Sequence, residues 1–318
     1  LPGAGIEVEG LRKRYGEKTA LEDVTFSVAP GTLLGLLGHN GAGKTTAIDC
    51  LTTLLRPDGG HARVAGHDVV AEPEEVRRSI ALTGQFAALD EVLTGRENLV
   101  LFGRLLRLGS RNAARRADEL LERFRLSDAG GRPVREYSGG MRRRLDLAAG
   151  LVVDRPVLFL DEPTTGLDPR SREEVWSVVE ELRQGGTTTL LTTQYLEEAD
   201  RLADRVVVLG SGRVTAEGTP GELKDRVGGR VCEVKVAPER HEEAAAALRR
   251  SLEEVSGQNG TLVVPAPRTS VVTQVLGLLE REGVDPENVT LRKPSLNEVF
   301  FALTDPGAVP GPAEESRT

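Results

Sequence analysis

Cysteine is nearly absent from this chain of 318 residues: only Cys50 and Cys232 occur, with no C-x-x-C pair. That excludes a disulfide-stapled secreted scaffold and a cysteine zinc site. The four histidines, His39, His61, His67 and His241, show no H-E-x-x-H spacing, which argues against a zinc hydrolase. Aromatic residues make up 3%, with one Trp, so the core must be built from Leu, Val and Ala. Lysine is scarce, with 6 Lys against 35 Arg. Long apolar runs are missing too. The uncharged stretch from Thr25 to Gly43 is interrupted by glycines, Pro30 and the polar pair His39-Asn40. It reads as strand and loop, not as a membrane span of about 20 residues. No signal-peptide pattern opens the sequence.

The composition that remains is ordinary for a globular protein, with 39% hydrophobic and 28% charged residues. A net charge of −8 argues against a general nucleic-acid binder. At roughly 150 residues per domain the length predicts about two domains. Strand-like alternation covers 6–15 and 21–28, and short apolar strands are expected at 32–37, 80–83, 157–160 and 187–193. Helices are expected at 44–54, from Thr94 to Phe124 with a break at 108–110, from Gly139 to 152, at 171–183 and at 196–203. Thr94 and Glu97 form a capping-box pattern, and 205–217 reads as a hairpin around Gly210-Ser211-Gly212. Pro57-Asp58-Gly59-Gly60 reads as a turn. The arginine-rich segments 104–125 and 142–144 read as solvated faces. Beyond residues 227–229 the pattern changes to strand 230–236, helix 240–253, strand 261–264, helix 270–282, strand 289–292 and helix 295–303. That predicts a small α+β domain. Residues 306–318, rich in Pro, Gly, Ala and Glu, read as a disordered tail.

Three motifs carry chemistry. Gly38-His-Asn-Gly-Ala-Gly-Lys44-Thr45 fits G-x-x-x-x-G-K-[ST] between an apolar strand and a helix. Gly38, His39, Asn40, Gly41, Ala42 and Gly43 then form a phosphate cradle of backbone amides that leads into Lys44, Thr45 and Thr46 at the helix start. Lys44 reaches β- and γ-phosphates and Thr45 Oγ1 binds Mg2+; His39 has no catalytic role. Val157-Leu-Phe-Leu160-Asp161-Glu162 is an apolar strand ending in two acids. Beside a P-loop, Asp161 suits the Mg2+ shell and Glu162 suits a general base for water; alone, Asp-Glu-Pro is also a plain turn. Ser138-Gly139-Gly140 opens a helix with bare amides. By itself this is also an ordinary capped helix. A second anion-binding helix end in one chain suggests that two chains share a nucleotide.

In this order the motifs, with Gly166-Leu-Asp168, resemble the nucleotide-binding subunits of ABC transporters over about residues 6–225. The resemblance implies an α/β fold: a P-loop NTPase with a RecA-like core, an antiparallel β subdomain and a helical subdomain, followed here by the small α+β domain. Residues 1–228 would be the ATP-binding domain and 229–305 an accessory domain. It implies ATP and Mg2+ as ligands. Tyr15 would stack on adenine, and Gln85 would touch Mg2+ or water and face a membrane subunit. Ser138, Gly139 and Gly140 would close on the γ-phosphate held by the opposing subunit, and Asp168 would couple the two sites. By residues alone Tyr15 is also a solvent-facing strand end, Gln85 a plain loop residue and Asp168 a helix start. The family usually has histidine after strand 187–193; here Gln194 stands there. It can donate a hydrogen bond to the γ-phosphate but cannot carry a proton charge. Glu162, Gln194 and Lys44 are the candidate catalytic residues.

The run Thr192-Thr-Gln-Tyr-Leu-Glu-Glu-Ala-Asp200 and the segment Pro294–Thr304 are similar to the ATPase subunits of daunorubicin/doxorubicin-type drug exporters. This implies a homodimer, a separate polytopic membrane permease, a place at the cytoplasmic face of the cell membrane, and export of an amphipathic compound. A regulatory ATPase uncoupled from transport, and an exporter of lipid or polysaccharide, stand as alternatives. Relatives that act on ribosomes or DNA carry two cassettes or a long coiled coil, which this chain lacks.

Overall fold

In the computed structural model, residues 5–83, 89–226, 230–252, 254–293, 295 and 296 are described. The chain divides into two compact units, Leu1–Val214 and Thr215–Thr318. The domain boundary expected near residue 228 falls among residues 227–229, and the tail 306–318 and all but the start of helix 295–303 also lie outside the described residues.

The chain opens with β1 (Ile6–Tyr15), β2 (Lys18–Val28) and β3 (Leu33–Leu37), then α1 (Lys44–Leu51), β4 (Gly59–Val64) and β5 (His67–Asp68). Next come α2 (Pro73–Ser79), β6 (Ile80–Thr83), α3 (Gly95–Leu105), α4 (Ser110–Arg123), α5 (Gly139–Gly150) and β7 (Val157–Asp161). They are followed by α6 (Pro169–Gln184), β8 (Thr188–Thr193), α7 (Leu196–Leu202), β9 (Arg205–Gly210) and β10 (Arg213–Gly218). A six-stranded sheet has the order β10-β9-β3-β8-β7-β6, and a second sheet has the order β2-β1-β4-β5. Pairing among β6, β7, β8, β3 and β9 is parallel, and in the second sheet it is antiparallel. The residues of β3 and β7 are all buried, as expected of central parallel strands covered on both faces.

Helix α1 packs against β2, β4 and β7. Its Ala47, Ile48, Cys50 and Leu51 join one core with Ile6, Val64, Phe159 and Leu190, so it lies between the two sheets. Burial pushes the Cys50 thiol up to about 11, so it stays protonated and acts as an apolar filler. Helix α3 is started by the expected capping box: Thr94 Oγ1 accepts from Glu97 N at 3.1 Å, and Thr94 N donates to Glu97 Oε2 at 2.8 Å. The β9–β10 turn is Ser211-Gly212, with φ of 49° and 76°, the left-handed pair a two-residue hairpin favours.

The remaining elements are α8 (Pro220–Arg226), β11 (Val231–Lys235), α9 (His241–Arg249), β12 (Ser256–Gln258), β13 (Thr261–Pro265), α10 (Ser270–Arg281) and β14 (Asn288–Arg292). The sheet order is β12-β13-β11-β14, all antiparallel. Ala244, Ala245 and Leu248 of α9 and Val275 and Leu279 of α10 bury a common core with Cys232, Val234 and Leu262. This matches the expected α+β pattern. Helix α9 ends at Arg249, short of the expected 253, and α1 ends at Leu51, short of 54.

Five elements were not expected: β4, β5, α2, α8 and β12. The predicted turn at 57–60 overlaps the start of β4, which pairs with β1 from Gly59 onward. Phe159 is fully buried in β7. Phe159→Ala is expected to lower unfolding free energy by about 3–5 kcal/mol in denaturant titration, and a loss under about 1 kcal/mol would contradict its place in the core.

Candidate functional site

Strands β3, β8 and β7 are parallel neighbours, with Leu37 level with Thr193 and Asp161 level with Thr192. Their C-terminal ends therefore deliver three segments to one edge of the sheet: the 38–45 loop, Gln194, and Glu162. That edge is where open α/β sheets bind ligands.

The 38–45 loop turns on Gly41 and Gly43, with φ of 84° and 108°. At Gly43 an added Cβ would also meet Ala20 O at 2.6 Å. Ala42 N bonds His39 O at 3.1 Å and Ala47 N bonds Gly43 O at 2.9 Å, closing the loop onto α1. His39, Asn40 and Gly41 are exposed, as is Thr45, while Ala42, Gly43 and Lys44 are buried and Thr46 is half-buried. Lys44 Nζ donates to Gly38 O at 2.8 Å and His39 O at 3.3 Å. It also faces Glu162 Oε1 at 3.4 Å, with both side chains under a tenth exposed. At that separation in a dry setting their attraction is screened far less than that of a surface ion pair.

Asp161 and Glu162 are both buried. Thr192 Oγ1 donates to Asp161 Oδ1 at 2.5 Å. Glu162 N donates to Thr192 O and Oγ1, both at 3.1 Å, and Thr165 Oγ1 donates to Glu162 Oε2 at 3.2 Å. Glu162 has φ of 48°, a left-handed backbone that non-glycine residues rarely take. Asp49 of α1 lies close by. Its carboxyl is pushed up by burial and further by the Asp161 charge. A negative, oxygen-rich corner with Thr45 nearby on α1 suits a hard cation such as Mg2+, which takes few protein ligands and keeps phosphate and water oxygens. Gln85, the third expected metal residue, lies outside the described residues.

Ser138 caps α5 by accepting from Met141 N at 3.3 Å, with Gly139 and Gly140 in the first turn. A Cβ at Gly140 would meet Ser171 Oγ at 2.2 Å, so the glycine lets α5 approach the start of α6. There Asp168 accepts from Ser171 N at 3.0 Å and Ser171 Oγ at 2.6 Å. These bonds from Ser171 hold its carboxyl below its ordinary value. The structure thus brings Ser138–Gly140 and Asp168 together. Helix α5 packs on α3, α4, α6 and β6, whereas α1 packs on β2, β4 and β7. The two glycine-led helix ends therefore belong to different neighbourhoods of the unit. Tyr15 is half exposed at the end of β1 and Gln194 is exposed at the end of β8.

The 142–144 segment is not a solvated face. Arg144 is buried, bonding Phe124 O at 3.0 Å and pairing with Glu174 at 3.0 Å. Arg143 reaches the end of β7, with its side chain 12% exposed. Nothing in a run of three arginines marks which ones turn inward. Thr192 and Thr165, which bond the two acids, were also missed, because a threonine in or after a strand carries no signal of its own.

Residues 21–165 match the family described as ABC transporter, and residues 218–304 match the family described as ATP-binding protein DrrA1-3-like, C-terminal domain. The chain is 54% identical over 310 residues to the Daunorubicin resistance ATP-binding protein DrrA2 of Streptomyces coeruleorubidus, covering 96% of both chains. It is 49% identical over 308 residues to the Doxorubicin resistance ATP-binding protein DrrA of Mycobacterium tuberculosis, covering 94% of this chain and 93% of that one. Among solved structures, one described as the ATP binding subunit of an ABC transporter aligns with a TM-score of 0.62 at 33% identity, over 70% of this chain and 92% of that one.

Glu198 on α7 is a further buried acid near this edge. Its Oε1 accepts from Trp176 Nε1 and Thr164 Oγ1, both at 2.9 Å. Burial pushes its carboxyl up, against the pull of Thr193, Trp176 and Thr164 as donors and of the Arg172 charge. A raised folded-state value means that the unfolded chain ionises first as pH rises, so this group weakens the fold above the ordinary carboxylate range and costs nothing below it. Glu198→Gln keeps the Oε1 acceptor and removes the ionisation. Its melting temperature is expected to exceed the unaltered protein's at about pH 8 and to converge on it near about pH 4. A gain of equal size at both pH values would contradict the raised value.

Proposed function

The chain belongs to the family of ABC transporter ATP-binding subunits, and on that premise we propose that it powers export of a drug-like amphipathic compound through a separate membrane-embedded partner. It is an ABC-type ATPase, and its work is nucleotide binding and hydrolysis. The observation that carries the mechanism is the buried Asp161–Glu162 pair beside Lys44, whose ammonium lies 3.4 Å from Glu162.

Tyr15 stacks on the adenine. The amides of 38–45, with Thr46 behind them, and the Lys44 ammonium hold the phosphates. Thr45, Asp161 and Gln85 would hold Mg2+, which would neutralise phosphate charge. Glu162 polarises the attacking water as general base, and the Gln194 amide donates to the γ-phosphate. Ser138, Gly139 and Gly140 of a second copy close on that phosphate, and Asp168 couples the two sites. Loss of the γ-phosphate removes the link between copies, and their separation drives the membrane partner, which docks near residues 85–99. Residues 1–228 form the ATP-binding domain, and residues 229–305 support the dimer. No helix among the described residues is long and apolar enough to cross a membrane. We assign the chain to the cytoplasmic face, held there by its partner. The cargo assignment rests on the relatives named for daunorubicin and doxorubicin resistance.

Glu162→Gln keeps the shape of the site and removes the base. Its steady-state ATP turnover is expected to fall at least about 100-fold, with ATP affinity changed by less than about threefold. Turnover within about twofold of the unaltered chain would contradict Glu162 as the base. The cargo is tested in cells that carry the chain: Lys44→Ala should raise accumulation of a fluorescent anthracycline, and unchanged accumulation would contradict drug export.

A further inference from the structure

We propose that Arg143 is the positioning residue for Glu162, tying the helix that presents Ser138–Gly140 to the strand end that presents the base. The inference rests on the roles proposed above for Glu162 and for Ser138–Gly140.

Glu162 is held with φ of 48°. A non-glycine residue stays in that region only when its surroundings over-determine it. On the amide side, Thr192 does this through the two bonds from Glu162 N. On the carbonyl side Thr165 N donates to Glu162 O at 3.3 Å, and one guanidinium spans the three successive carbonyls. Arg143 Nη2 donates to Asp161 O at 3.1 Å and to Glu162 O at 3.3 Å, and Arg143 Nε donates to Pro163 O at 2.6 Å. Three successive carbonyls are thereby fixed by one planar group with a rigid fork of donors. The Arg143 side chain is only 12% exposed, and Asp146, one helical turn on and buried, pairs with its Nη1 at 3.3 Å. An arginine this far from water with a dedicated counter-ion is built into the site and does not trail over a surface.

Arg143 lies on α5, five residues beyond Ser138. A shift of α5 as its N-terminus meets a nucleotide on a second copy therefore pulls on the backbone of Glu162 in its own chain. This gives each site a mechanical report of whether the other is filled. The structure needs no mobile loop for that link, because a helix and a strand end are joined by one side chain.

Arg143→Lys keeps the charge and the partner Asp146 but has one nitrogen for three carbonyls. It is assayed as the full chain, beside the unaltered protein and Glu162→Gln. The expected result is a fall in kcat of about tenfold with KM for ATP unchanged, since misplacing a catalytic group costs rate and not binding. The Hill coefficient for ATP should fall towards one, and the melting temperature should be unchanged. Full kcat in Arg143→Lys while Glu162→Gln is inactive overturns the Arg143 assignment alone. A loss shared between KM and melting temperature also overturns it, since that marks a structural role. Turnover that survives Glu162→Gln overturns both this assignment and the base on which it rests.

Discussion

Two carboxylates side by side at the end of a buried strand repel each other and lose their hydration, and the surroundings of β7 offset both costs. Burying charge is tolerated only with pairing and hydrogen bonds. Lys44 supplies the opposing charge from the start of α1, Thr192 Oγ1 donates to Asp161 from β8, and Thr165 Oγ1 donates to Glu162 Oε2. The order β3-β8-β7 is thus what makes the acids affordable. A different strand order would take Lys44 away from Glu162.

The rest of the unit holds this corner still. Helix α1 is clamped between two sheets by aliphatic side chains and by the protonated Cys50, so Lys44 cannot drift. The second sheet brings Tyr15 to its edge, and α5 brings Ser138 to another side. In the proposed mechanism a second copy supplies its Ser138–Gly140 across from the first copy's Lys44.

Much of this was legible in sequence because the signals are local. The 38–45 loop needs glycine where φ is positive. An apolar strand ending in Asp161-Glu162 announces acids at a sheet edge, and Thr94 with Glu97, Ser138 and Asp168 all cap helices as their types suggest. What escaped notice depends on tertiary contact. In β4 only Ala62 and Val64 alternate inward, so Gly59-Gly60 dominated as a turn. Glu198 looks like a surface acid on a seven-residue helix until Trp176 and Thr164 are seen on its oxygen. Arg143 sits in a run of three arginines that pattern alone assigns to water. The left-handed backbone of Glu162 has no sequence mark at all.

The central claim is that each nucleotide is completed by two copies of the chain, and mixing two inactive variants tests it most directly. Lys44→Ala removes the phosphate ligand. Gly139→Asp places a carboxylate where the second copy's γ-phosphate should sit, yet an added Cβ there meets nothing within 4 Å and an acid in a first turn suits the helix. Each variant alone should be inactive. In a mixture, one pairing joins the intact loop of one chain to the intact Ser138–Gly140 of the other. ATP turnover should then return. A mixture as inactive as its components would contradict a shared site.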